Sequence, residues 1–201
     1  LEKENVHSSQ VQGITQDEEG KLWLASSSNG VSMMSFNPLQ TQRFTEQTGF
    51  LTNNTSCIAS GKSMNKNIWI GTATKGIVKY DGKKFTNFNE ADGLISNRVY
   101  SIYVDKNGIV WIGTAAGISR FDGVRFLNLS MEKLKMESDG IFSIIEDNKN
   151  NIWFATAGGI ARYGGDGSIR TFDEKEGLTA KAVNAIAEAE NGDIWIGTFS
   201  G

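Results

Sequence analysis

Residues 109–123 read Ile-Val-Trp-Ile-Gly-Thr-Ala-Ala-Gly-Ile-Ser-Arg-Phe-Asp-Gly. An apolar run around a tryptophan gives way to Gly-Thr, then to a glycine, a second alternating run and an Asp-Gly pair. The same order stands at 67–82 as NIWIGTATKGIVKYDG and at 151–163 as NIWFATAGGIARY. It returns as DIWIGT at 193–198 and, loosely, as KLWLAS at 21–26. Trp23, Trp69, Trp111, Trp153 and Trp195 are therefore spaced by 46, 42, 42 and 42 residues, and no tryptophan in the chain breaks the period. A fixed period of this length is the mark of a repeat architecture.

Working outward from the tryptophan, each unit reads as four short strands. Upstream, Val99, Ile102 and Val104 alternate with polar residues, as does a half-buried first strand. Asn-Gly at 107–108 and 191–192 then predicts a type I′ hairpin. The second strand, β-branched and apolar around the tryptophan, is expected to be buried on both faces. Asp-Gly at 81–82 and 122–123 predicts a hairpin between the third and fourth strands. The Gly-Leu stretches at 93–94 and 177–178 cross to the next unit. Helical periodicity is absent, apart from one turn's worth at Met131 to Glu137.

Four antiparallel strands per roughly 42 residues is the pattern of a β-propeller blade. The expected fold is all-β, with four full blades and part of a fifth in one domain spanning 1–201. The repeats run approximately 11–54, 55–98, 99–140, 141–182 and 183–201. A blade cannot cover both its faces alone, so the tryptophans are expected to fill the seams between blades. Propellers close with about four to eight blades, which makes this chain a portion of a larger propeller. An open array exposes a strand edge and an apolar face at each end, and so predicts self-association there.

Composition narrows the function. The 201 residues carry a formal net charge of −3 with no block of lysine or arginine, which argues against nucleic acid as a partner. No stretch reaches the roughly 18 apolar residues of a membrane span, so direct membrane insertion by this segment is not expected. One cysteine, Cys57, allows no internal disulfide and reads as a small buried residue. One histidine, His7, lies ahead of the repeats, without the partners of a catalytic triad. No metal site or cofactor is expected. Ser60-Gly61-Lys62-Ser63 lacks the earlier glycine of a phosphate loop, with Ser56 in its place. Asp17, Asp105 and Asp147 recur just after the first strand, which predicts a role in bonding the turn backbone rather than calcium.

Residues shared by all units build the blade, so residues that vary in the face loops are the candidates for function. The loops between second and third strands offer Asn29, Lys75 and Phe199; the crossovers offer Asn53, Arg98, Glu137 and Lys181. Lys75, Arg98, Lys181 and Phe199 form the candidate ligand-binding set, suited to an acidic or hydroxyl-rich ligand.

The string Ile109 to Gly123, its counterpart Ile68 to Gly82, and the crossover Asp92 to Val99 resemble the two-component regulator propeller repeat. The first unit departs most, with Ala25-Ser26 for Gly-Thr and a longer segment through Pro38. The resemblance implies a seven-bladed type of propeller in the extracytoplasmic, periplasmic sensor region of a membrane-anchored histidine kinase, acting through a receptor dimer. It implies a non-enzymatic sensor of a small molecule or glycan, with any kinase activity outside this chain. Two other readings differ in kind: a scaffold that binds another protein, and a lyase. The string Asn150 to Phe154 is similar to streptogramin-type lyases, which rely on a channel histidine that the repeats here lack.

Overall fold

The computed structural model describes residues 10–61, 66–136 and 140–198. Their strands form five consecutive sheets. The first holds β1 (Val11–Gln16), β2 (Leu22–Ser26), β3 (Gly30–Phe36) and β4 (Leu39–Phe44). The second holds β5 (Thr55–Ser60), β6 (Ile68–Thr72), β7 (Ile77–Tyr80) and β8 (Phe85–Phe88). The third holds β9 (Val99–Val104), β10 (Val110–Thr114), β11 (Gly117–Phe121) and β12 (Phe126–Ser130). The fourth holds β13 (Ile141–Glu146), β14 (Ile152–Thr156), β15 (Gly159–Tyr163) and β16 (Ile169–Phe172), and the last pairs β17 (Val183–Glu188) with β18 (Ile194–Thr198). Every sheet is an antiparallel meander in chain order. The first strands β1, β5, β9, β13 and β17 pack in sequence against one another, which is the inner wall of a propeller.

The seams hold the core. Three of the five tryptophans reach the aromatic residue that ends the third strand of the next blade: Trp23 lies 5.4 Å from Tyr80, Trp69 5.8 Å from Phe121, and Trp111 5.4 Å from Tyr163, centroid to centroid. Around them β6 and β10 are buried along their whole length, as their unbroken apolar sequence predicts. Trp195 is 69% exposed, with no following blade among the described residues. Polar ties cross the seams too. Glu146 accepts from the backbone N–H of Lys106 at 3.1 Å, and Glu188 from that of Asn148 at 3.0 Å.

The repeated aspartates bond the turns as expected, and do more. Asp105 accepts from the backbone N–H groups of Asn107 and Ile109 at 2.9 and 3.0 Å, and from the Trp111 indole at 2.9 Å. Asp17 holds Trp23, and Asp147 holds Trp153, in the same way at 2.8 and 2.7 Å. Burial pushes the Asp147 carboxyl up. The indole of Trp153, the amide of Asn151 and the turn backbone outweigh that, so it titrates below its ordinary value.

The turn itself corrects the sequence reading. A type I′ turn needs positive φ at both central residues. Here only Gly108 has it, at 78°, and its N–H donates to the Asp105 carbonyl. Asn107, before it, has no positive φ, and its N–H is held by the Asp105 carboxylate. The next unit uses Asn150 at this place, with φ 65°, the residue that best tolerates the left-handed region after glycine. Three one-turn 3₁₀ segments, Glu46–Thr48, Glu90–Asp92 and Glu174–Glu176, also lie in the crossovers. Residues 131–136 form hydrogen-bonded turns, with Leu134 donating to Ser130 and Met136 to Met131.

Candidate functional site

The crossovers and the loops between second and third strands share one face. Each loop is set by the threonine of the Gly-Thr motif. The Thr72, Thr114 and Thr156 hydroxyls donate to the carbonyls of Gly76, Gly117 and Gly159 at 2.8, 2.9 and 3.0 Å. They also accept a loop N–H, from Lys75, Ala116 and Gly158.

The crossovers are closed by a second device. In the first, Glu46 and Asn53 exchange two hydrogen bonds between side chain and backbone, at 2.9 and 3.0 Å. In the second, Glu90 and Asn97 do the same at 3.0 and 2.7 Å. Both pairs are seven residues apart. Seven residues after Glu174, in the fourth crossover, stands Lys181. An ammonium group has no acceptor, so it cannot take the asparagine's part.

Lys181 lines a cleft of about 400 Å³ between the third and fourth blades, with Lys135, Lys175, Thr171, Phe172 and Asp173 and the turn at 157–158. That size suits a small ligand. Lys135 is one of two described non-glycine residues with positive φ, at 55°. Phe172 forms an aromatic wall, stacked on Trp153 at 5.6 Å and capped by Arg170 at 4.7 Å. The Asp173 carboxyl is held below its ordinary range, first by the backbone N–H of Lys175 and further by the Lys175 and Lys181 charges. Three lysines thus line the cleft beside one aspartate, and this excess of positive charge favours an anion.

The structure separates the sequence-derived candidates. Lys181 lies in the cleft. Lys75 sits exposed on the turn after β6 and does not line the cleft. The Arg98 guanidinium lies over the Tyr100 ring at 5.4 Å. Phe199 lies outside the described residues, as do His7, Glu137, Lys62 and Ser63. Asn53 clasps its crossover through Glu46. Sequence reasoning missed Lys135, Lys175, Thr171, Phe172 and Asp173. The Asn-to-Lys change at position 181, readable against positions 53 and 97, was the signal that could have led to them. Among the described residues, no group of three or more His, Cys, Asp or Glu side chains is placed to hold a metal ion. No described helix is long and apolar enough to cross a membrane.

The family model of the two component regulator propeller matches residues 93–116, 135–158 and 177–200, each a crossover with the strands that follow it. None of the curated proteins matches the sequence. Among solved structures, the extracellular domain of a one component system from B. thetaiotaomicron superimposes with a TM-score of 0.72 at 18% identity, over 94% of this chain and 26% of that one. The extracellular domain of a hybrid two component system from the same organism gives a TM-score of 0.50 at 21% identity, over 96% and 39%. Virginiamycin B lyase from Staphylococcus aureus gives 0.70 at 18%, over 92% and 62%. The chain spans about a quarter to just under two thirds of the length of these structures, and the likeness to them is one of fold.

Proposed function

We propose that the chain, three stretches of which match the two component regulator propeller model, is a ligand-sensing propeller module of a signal-transduction receptor, lying outside the cytoplasm. The signal would be a small acidic molecule, such as an acidic oligosaccharide, taken up on the crossover face. One observation carries this reading: Lys181 replaces the asparagine that clasps the first two crossovers, and lines a cleft with two further lysines. A residue released from a repeated structural duty, and placed in a charged cleft, is available for recognition. The family match and the extracellular solved relatives support the receptor setting. The lyase relative shares the fold, while the repeats here supply no histidine for its chemistry.

The test is calorimetric titration of the chain with acidic and neutral oligosaccharides, beside Lys181→Asn, which restores the crossover pattern and so preserves the fold. Acidic members should bind in a salt-dependent way and bind at least fivefold more weakly to the variant. Binding that is absent throughout, or unchanged in Lys181→Asn, would refute the assignment.

A further inference from the structure

The five first strands share an irregularity that the repeat did not announce. Each carries a β-bulge after its opening residue. The register against the second strand skips between Val11 and Gly13, Thr55 and Cys57, Val99 and Ser101, Ile141 and Ser143, and Val183 and Ala185. The residues left unpaired are Gln12, Ser56, Tyr100, Phe142 and Asn184. A bulge re-aims a side chain at the cost of ladder bonding, and such bulges gather at barrel rims and beside active sites. These five sit where the crossovers enter the inner wall, on the face that bears the lysine cleft.

Unlike the positions around them, the five differ freely in kind. Three are polar; Tyr100 and Phe142, on neighbouring blades, are aromatic. Their rings meet at 5.5 Å with a 54° tilt. The core does not require them: neither belongs to any of the buried clusters that fill the seams, and both are half-buried. Polar residues at the same place in the other blades show that the fold accepts them there. The surroundings nonetheless accommodate the pair. Gly140, the last residue of the third crossover, lies under the Tyr100 ring, and a Cβ there would strike it. Arg98 covers the Tyr100 ring at 5.4 Å, a cation–π contact that leaves guanidinium N–H groups for an anion.

We propose that Arg98, Tyr100 and Phe142 form a binding subsite at the crossover end of the inner wall for a ring that bears a carboxylate. Phe142 would stack on its flat face and Tyr100 would meet its edge, while Arg98 would take its anionic group in a paired hydrogen bond. A sugar acid and an aromatic acid share this chemistry. The proposal rests on the reading of this face as the ligand face, and it is distinct from the lysine cleft.

The test uses the full chain and three probes, in a saturation-transfer NMR and calorimetric titration: trigalacturonate, 4-hydroxybenzoate and neutral maltotriose. One or both carboxylates should bind and maltotriose should not; whichever binds names the source. Tyr100→Ser and Phe142→Asn copy the residues of the second and fifth blades at this position, so they leave the fold intact, as an unchanged melting midpoint will show. Each should weaken binding of either carboxylate tenfold or more, as should Arg98→Asn, whether or not Lys181→Asn weakens it too. Failure of both carboxylates to bind, or binding undiminished in Tyr100→Ser and Phe142→Asn, overturns the subsite. Carboxylate binding lost only in Lys181→Asn also overturns it, yet leaves the cleft reading standing.

Discussion

Replacing Asp105 with alanine removes three hydrogen bonds at once. The carboxylate is 5% exposed and accepts from one indole and two turn amides. The Trp111 indole is itself only 3% exposed. A buried donor left without its partner costs about 1–3 kcal/mol, and each turn amide, nearer the surface, contributes about 0.5–1 kcal/mol. The expected loss is about 3 kcal/mol. For a chain of this size that lowers the melting midpoint by about 6–12 °C. Asp105→Asn keeps one acceptor in place and should cost about 1 kcal/mol. Urea unfolding followed by tryptophan fluorescence reads both, with the slope of the transition checked for a constant two-state baseline. An alanine variant within about 1 kcal/mol of the parent would mean that the seam, rather than the clasp, holds the indole, and the reasoning would fail.

Two more outcomes follow from the titrating groups. Asp147, held below its ordinary value, contributes stability that is fully present above the unfolded carboxyl pKa of about 3.9 and fades as pH falls through the lower folded value. The stability gap between the parent and Asp147→Asn, measured by urea unfolding, should therefore be constant from neutral pH to about pH 5 and shrink below about pH 4; a gap that grows on acidification contradicts the clasp. Burial pushes the Cys57 thiol up to about 12, so iodoacetamide at pH 8 should label it far more slowly than a free thiol.

The period of the tryptophans carried the architecture because it reflects packing: one large residue per blade must meet one aromatic of the next. Trp69 against Phe121 and Trp111 against Tyr163 obey that rule directly. The same repetition made the role of Asp105 in its turn legible. Its second bond, to Trp111 six residues away, depends on where a hairpin folds back, and local reading does not give that. The capping boxes of the crossovers were written in plain form at Asn89 and Asp92, and at Asp173 and Glu176, but their short helical turns are too brief to show a period. The cleft stayed hidden for another reason. Lys135 and Lys181 lie 46 residues apart, and only blade-to-blade packing brings them to one wall. Of the candidates chosen by variation between units, Lys181 and Arg98 sit in distinctive surroundings and Lys75 does not.

The clasp that crosses the first two crossovers also bears on which part of the molecule opens first. In those crossovers the amide hydrogens of Glu46, Asn53, Glu90 and Asn97 are each held by a side-chain acceptor. The fourth crossover keeps its capping box at Asp173, but Lys181 cannot return the bond at the far end. Its amides should exchange with deuterium well before those of its two counterparts, although the strands on either side are paired alike. The cleft would then lie on a less cooperative stretch than the first two crossovers. Occupancy by an anion would register there as slowed exchange, a change in fluctuation with no need for a change in shape.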